Sequence, residues 1–384
     1  MPKYPKTDPA VAGIKGSTFS ALAHRLARHQ GEVYPLHIGD TWLEPAEGCR
    51  MQDLTVEEFP GMHRYTAPQG YGPFLEAVAA RASARTGVPT ETANVLITAG
   101  ATGAVGAAIG ATVSPGEEVL ILAPYWPLIE GIVRSFRGTP VAVPFIGEAD
   151  SPESAVSVVE RHRTAATSVL YISTPNNPTG EVIPASWLEA LCEWAREHDL
   201  WIVSDEVYED YVYDGTHSYC RTLAPERTFS THSFSKAFGM AGNRCGYAVG
   251  PSEPLAELIK VSTHAFYSTP TASQLAALRA LDGRGDRWVD GIRPQYLELG
   301  LRAAERLGVP APQGSTFLFL DVSERLDERG LHGFLSDCVD RGLFLAPGPS
   351  FGPYPDHARV CFTSARPDVV ERGIDVLAGL LGRR

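Results

Sequence analysis

The sequence predicts an α/β fold: a mainly parallel central sheet flanked by helices, beside a smaller α+β domain built from both termini. Three observations point there. Short, β-branched, nearly continuous apolar runs recur through the first two thirds of the chain. Helical patterns alternate with them. After about residue 290 the order changes and the elements regroup. With 384 residues the chain is long enough for two substantial cores.

The runs are "NVLITAG" from Asn94, "EEVLILAP" from Glu117, "TPVAVPF" from Thr139, "SVLYISTP" from Ser168 and "LWIVSDEVY" from Leu200. Continuous apolar character of this length suits strands buried on both faces. Between them lie helical patterns at 103–112, 127–136, 152–162 and 184–198, and such alternation implies parallel strands joined by crossovers. "RTFSTHSFS", from Arg227, reads as a further strand ending in small polar residues. The following "AFGMAGNRCGYAVG" offers no amphipathic helical face. Later come the helical "YLELGLRAAERLG", then "STFLFLDV", a helix near Leu331, "LFLAPG", "RVCFTS" and a last helix from Pro367. The expected division is an N-terminal segment, residues 1–50, that joins the small domain; a large domain, 51–289; and a small C-terminal domain, 290–384.

Composition narrows the function classes. Hydrophobic residues are 44% and charged residues 20%, the profile of a globular chain. The net charge of -12 argues against nucleic acid or an anionic membrane as partner, since no basic patch could neutralise phosphates in number. Cys49, Cys192, Cys220, Cys245, Cys338 and Cys361 are scattered without paired metal spacing, which implies free thiols in a reducing compartment. The start, "MPKYPKTDPAVAG", has no apolar signal core, and no run reaches membrane-spanning length. A soluble, cytoplasmic protein is expected.

Several strand ends carry chemistry. In "SFSKAFGMAGNRCGY", Lys236 follows a strand, where open α/β sheets bind ligands. An amine desolvated there loses its proton more easily and becomes a nucleophile, although a lysine in a loop is ordinarily a surface residue. "LWIVSDEVY" ends abruptly in Asp205 and Glu206 with Tyr208 close by; a helix N-cap is the competing reading of Asp205. "STPNNPTG", Ser173 to Gly180, is by itself a turn. "TAGATGAVGAAIGA" leaves a strand through small residues into a helix, whose exposed N–H groups and dipole suit a phosphate. It is neither a P-loop nor a strict GxGxxG, and close helix packing explains it equally well. "APYWPLIEG" sets Trp126 just after a strand, for core packing or for stacking on a planar ligand. Together these ends supply an amine, an acid, amide and phenol groups, a flat aromatic, an anion cradle and an arginine. A phosphorylated heteroaromatic aldehyde uses all of them, and pyridoxal 5'-phosphate is that molecule.

The chain resembles the class I/II aminotransferases of the fold type I pyridoxal-phosphate-dependent family, from about Ile14 to near the C-terminus. "STPNNPTG", "SDEVY" and "SFSKAFGMAGNRCGY", in that order, carry the resemblance; "RYTAPQGYGPFLEAVA", "PGPSFG" and "ARVCFTS" extend it. It implies an enzyme moving an amino group between an α-amino acid and a 2-oxo acid. Catalytic roles fall to Lys236, which bonds the cofactor and moves the proton, Asp205, which faces the pyridine nitrogen, and Tyr208. Asn177 and Tyr208 would hold the ring's phenolic oxygen, and Trp126 would stack on the ring. Ala101, Thr102, Ser233 and Arg244 would hold the phosphate. Tyr65 would reach the phosphate of a neighbouring subunit, which implies a homodimer with shared active sites. Arg359, with the backbone near Gly39 and with Asn177, would take the substrate's α-carboxylate; no metal is implied. "IGDTWLEP", Ile38 to Pro45, places Trp42 in a segment that borders the substrate pocket in this family. "GAT" and "GNR" depart from commoner family patterns at the phosphate turn and before Arg244. The same residues would also serve elimination, replacement, cyclisation or oxidation of an amino acid, because the cofactor does the shared step.

Overall fold

The computed structural model describes residues 5–14, 25 and 28–383, so part of the expected N-terminal segment 1–50 lies outside the described residues. Among the described residues there are ten strands: β1 Val95–Thr98, β2 Glu118–Ala123, β3 Thr139–Pro144, β4 Thr167–Ser173, β5 Trp201–Asp205, β6 Thr228–Ser233, β7 Gly246–Val249, β8 Phe317–Asp321, β9 Ala346–Pro347 and β10 His357–Cys361. The first seven form one sheet in the order β1-β7-β6-β5-β4-β2-β3. Its β3, β2, β4, β5 and β6 are mutually parallel. β7 is antiparallel to both its neighbours.

Two-sided burial explains the apolar runs. On one face Leu120, Leu122, Leu170, Ile172 and Ile202 pack with Leu188, Leu191 and Trp194 of the Ala185–Glu197 helix. On the other, Ile121, Ala123, Tyr171 and Val203 pack with Ala104, Ala108 and Ile109 of the Gly100–Thr112 helix. Strand side chains alternate between faces, so a strand with cores on both sides has no polar phase to show.

Strand β7 is absent from the sequence reading. It is only four residues long and lies in a glycine-rich stretch whose composition resembles a loop, yet all four residues are buried. Gly246 is required there by close approach: a Cβ would lie 2.5 Å from the His232 carbonyl oxygen and 2.7 Å from the Ala101 nitrogen. The missing side chain lets β7 sit against the start of the Gly100–Thr112 helix. That helix also begins earlier than its apolar pattern, placing Ala101 and Thr102 in its first turn.

The remaining strands form a small antiparallel sheet, β8-β10-β9, with the Gly285–Leu307, Gly330–Asp340 and Pro367–Leu380 helices. The long helix starts well before the "YLELGLRAAERLG" pattern and runs through Pro294. Residues near Tyr34 run beside this sheet: the Tyr34 N–H donates to the Gly342 carbonyl at 2.8 Å, and the Cys361 N–H to the Leu36 carbonyl at 2.7 Å. All six cysteines are buried and free. No helix among the described residues is long and apolar enough to cross a membrane.

Candidate active site

The carboxyl ends of the parallel strands open into a cleft of about 330 Å³, within the range of small-molecule sites. It is lined by Gly39, Ala101, Thr102, Trp126, Asn177, Asp205, Tyr208, Ser233, Lys236, Arg244 and Arg359. Eleven of the twelve residues expected from the sequence therefore meet in one place; Tyr65 is the exception.

Lys236 lies in a single helical turn, Phe234–Ala237, immediately after β6. Ser233 caps that turn, its hydroxyl accepting from the Ser235 N–H at 3.0 Å. The Lys236 ammonium donates to the Gly39 carbonyl, which ties the N-terminal segment to the cleft. Burial holds the Lys236 amine below the usual lysine range, and the Arg359 and Arg244 charges act in the same direction.

Arg244 has the left-handed backbone at φ 50° and reaches over the phosphate turn, donating to the Ala241 carbonyl at 2.9 Å. Gly100, at φ 72°, lies beneath it: a Cβ there would stand 2.6 Å from Arg244 Nη2. The guanidinium and the first N–H groups of the Gly100–Thr112 helix thus border one small space, an arrangement suited to an oxyanion.

Arg359, on β10, is buried. Its Nη1 donates to Asn177 Oδ1 at 2.8 Å and its Nη2 to the His37 carbonyl at 2.7 Å. The guanidinium carbon lies 4.2 Å from the Phe317 ring centroid and 4.9 Å from that of Phe351. Its Nε has no hydrogen-bond partner. Because a guanidinium only donates, the Asn177 atom facing it is the oxygen, and the Asn177 amide N–H groups remain for another acceptor.

Asp205 ends β5 and is buried. Its Oδ2 accepts from the Tyr171 hydroxyl at 2.6 Å, and its Oδ1 has no partner. Burial pushes its carboxyl up to about 6, against the Tyr171 hydrogen bond, which lowers it. Tyr208 lies edge-on to Phe317, and burial raises its phenol well above the usual tyrosine range.

These features suit pyridoxal phosphate. An orphaned, buried carboxylate oxygen in a ligand cleft fits the protonated nitrogen of a heteroaromatic ring. The space between Gly100 and Arg244 fits the phosphate, and the amine of depressed proton affinity fits the aldehyde.

Tyr65 is 86% exposed and lies edge-to-face on Tyr267, outside its own chain's cleft. Trp42 lies in the segment whose Gly39 lines the cleft, and it packs on Tyr296 at 5.5 Å between ring centroids. Ser173, Val207 and Ser235 line the cleft but were not singled out from the sequence. Ser235 directly precedes Lys236 in the quoted motif, so proximity was the available signal. On the opposite face of the sheet, Glu206, Glu209 and His232 cluster closely enough to suggest a metal. Glu209 is already paired with Arg85 at 2.7 Å and with His232 at 2.9 Å, so these charges are balanced internally.

Residues 39–377 match the family model described as aminotransferase class I and II. The chain is 36% identical to a probable aspartate/prephenate aminotransferase of Thermus aquaticus over 318 residues, covering 79% of this chain and 80% of the relative. Its fold is similar to a double mutant of Thermus thermophilus aspartate aminotransferase, with a TM-score of 0.88 and 27% identity over 98% of this chain and 100% of that one. It is also similar to N-succinyldiaminopimelate aminotransferase of Mycobacterium tuberculosis, with a TM-score of 0.88 and 26% identity over 98% and 100% of the two chains. A cleft fitted to pyridoxal phosphate, on a chain that matches one family model almost from end to end, leads to one assignment: the chain belongs to the class I and II aminotransferases, which are pyridoxal-phosphate-dependent enzymes.

Proposed function

We propose that this aminotransferase works as a cytoplasmic homodimer on substrates held by their α-carboxylate, and that the residues of the cleft divide the work as follows. Bound pyridoxal phosphate supplies the electron sink for the substrate carbon that gives up its proton. Lys236 Nζ, buried and of lowered proton affinity, would hold the cofactor through its aldehyde carbon. The same amine, when free, would carry the proton from the substrate α-carbon. Asp205 Oδ1 accepts the ring N–H and keeps that nitrogen charged. The Asn177 amide and the Tyr208 hydroxyl donate to the phenolic oxygen, while Trp126 covers one ring face. Ala101, Thr102, Ser233 and Arg244 donate to the phosphate. Arg359 grips the substrate carboxylate beside the Gly39 backbone, its planar fork fixing orientation as well as charge.

The observation that carries this reading is the cleft's charge arrangement. Lys236 and Arg359 share one pocket, and among the described residues no carboxylate is ion-paired with Arg359. A buried guanidinium in that position is suited to an anion brought by the substrate. Tyr65 and Tyr267, exposed side by side, support a subunit contact through which Tyr65 reaches the partner's phosphate. The free cysteines and negative net charge support a reducing, cytoplasmic setting. The pairing of residues near Tyr34 with the small sheet supports a small domain made from 1–50 and 290–384 around the large domain 51–289.

The test is a half-reaction screen. Purified enzyme loaded with pyridoxal phosphate is mixed with single amino acids, without an oxo acid, and the cofactor spectrum is followed. Conversion to the aminated cofactor by α-amino acids, and reversal by 2-oxo acids, is the expected result. Amino acids that lose side-chain groups while the spectrum returns unchanged would defeat the transamination reading.

A further inference from the structure

We propose that Tyr171 is a positioning residue of the reaction: its hydroxyl fixes the Asp205 carboxylate so that Oδ1 faces the cofactor's ring nitrogen and the shared proton stays on that nitrogen. The proposal rests on the reading of Asp205 given above, and the experiment separates the two.

The strand register sets up the contact. β4 and β5 are parallel, with Tyr171 opposite Val203 and Ser173 opposite Asp205. Alternation along each strand then puts Tyr171, Ser173, Val203 and Asp205 on one face of the sheet. Tyr171 lies one pleat deeper than Asp205, fully buried, and its hydroxyl points outward to Oδ2 at 2.6 Å. The carboxylate therefore has one oxygen anchored from below and the other, Oδ1, unpartnered within the cleft lining. An anchored carboxylate cannot turn its occupied oxygen toward the ligand.

Packing alone does not call for this hydroxyl. Phenylalanine would fill the same core space beside Ala123, Val169 and Val203 without a polar atom to desolvate. The hydroxyl has an electrostatic consequence instead. Burial raises the proton affinity of Asp205, and the Tyr171 hydrogen bond opposes it most, with the Val207 backbone N–H acting in the same direction. Without that bond, the carboxylate would compete harder for the ring proton. The proton would move toward oxygen, and the ring would lose the positive charge that makes it an effective electron acceptor. Tyr171 itself stays a donor, since burial and the adjacent Asp205 hold its phenol well above the usual range. The other charges acting on Asp205 are Glu206 and His232, and a Tyr171→Phe change leaves both in place.

The test compares wild type, Tyr171→Phe and Asp205→Asn, each loaded either with pyridoxal phosphate or with its N-methylated analogue, whose nitrogen is positive without a proton. With the natural cofactor, Tyr171→Phe is expected to lose roughly tenfold in kcat with KM little changed, the scale of one hydrogen bond to a charged group. The pH midpoint of the lysine-bound cofactor's absorbance should move upward, because a less positive ring makes the neighbouring imine more basic. With the N-methylated cofactor, wild type and Tyr171→Phe should turn over alike. An equal fractional loss with both cofactors, or an unshifted absorbance midpoint, overturns the proposal and leaves Tyr171 a packing residue. So does an unaffected Tyr171→Phe beside a damaged Asp205→Asn, and the role of Asp205 then stands alone. An undamaged Asp205→Asn removes both. The thermal midpoint of each apoenzyme shows whether a loss comes from folding.

Discussion

Replacing Arg359 with alanine separates a substrate clamp from a structural arginine, and the structure sets the size of the effect. Arg359 is 6% exposed, and its guanidinium is bonded to Asn177 and to the His37 carbonyl and lies over two aromatic rings. Two losses follow from removing it. The first is general: Asn177 Oδ1 loses its donor, which costs about 1–3 kcal/mol for an unsatisfied buried acceptor, and the Phe317 and Phe351 rings lose a packing partner. This loss affects every substrate. The second falls only on substrates with an α-carboxylate, which lose their partner in a desolvated, charge-assisted pair. Such losses run to about 2–5 kcal/mol, or roughly 30-fold to a few thousand-fold in kcat/KM.

The assay therefore measures kcat/KM for an α-amino acid and for the amine lacking its carboxylate, in wild type and in Arg359→Ala, and compares the two ratios. The general loss cancels. A clamp predicts that the amino acid suffers at least about 30-fold more than the amine. Arg359→Lys should recover only part of the difference, because a point-like ammonium cannot reproduce the two parallel N–H donors. Equal losses for both substrates would refute the clamp and, with it, the main reason for placing an α-carboxylate in this cleft.

Four further outcomes are expected. Lys236→Ala should abolish the borohydride-trapped pyridoxyl adduct, and in wild type peptide mapping should find the label on Lys236 and on no other lysine. Asp205→Ala should reduce kcat far more than it raises KM, because the ring charge matters most when the carbon gives up its proton; a variant with wild-type turnover would return Asp205 to a helix-capping role. Mixing Tyr65→Ala with Lys236→Ala subunits should restore about a quarter of the active sites, since half the random dimers are hybrids and each hybrid has one complete site, whereas a Tyr65 serving its own subunit predicts no recovery. Stability should fall as pH rises above about 6.5, the ordinary histidine value, through the raised value of His232. Burial alone would lower the His232 value, but the Glu209 and Glu206 charges outweigh it, so the protonated form is favoured in the fold; chemical denaturation of His232→Gln across this range should show a flatter pH dependence.

The readable part of this protein is what depends on strand ends and on local composition. Lys236 and Asp205 interrupt apolar or small-residue stretches with groups that core packing does not need; Asn177, in a stretch that by itself reads as a turn, and Arg359 follow from the family resemblance, and all four meet in one cleft. What could not be read depends on distance in space. Strand β7 is defined by a partner on either side rather than by its own residues, and its glycine is fixed by a backbone more than a hundred positions earlier. Tyr171 was invisible for a different reason. Inside "SVLYISTP" a tyrosine is indistinguishable from any other core aromatic, and only its 2.6 Å contact reveals that the hydroxyl matters.

The strand alternation that hid Tyr171 also explains how the sheet keeps two sets of charges apart. Ser204 lies opposite Ser230 on one face, and the next outward positions on that face are Glu206 and His232. Asp205 lies opposite Thr231 on the other, and Ser233 is the next outward position there. Neighbouring residues in "SDEVY" and "THSFS" are thereby sent to opposite sides: Asp205 and Ser233 to the cleft, Glu206 and His232 to a buried network with Glu209 and Arg85. A slip of one residue in the β5–β6 pairing would exchange the faces of a whole strand, sending Glu206 toward the ring and Asp205 toward the arginines. The buried network resists that exchange, because Glu206 is fully buried and its position is matched by histidines 3.8 Å away on one face only. The charges behind the sheet thus bear on the cleft without touching it, because the register that points Asp205 at the ligand is also the one that sets Glu206 beside His217 and His232.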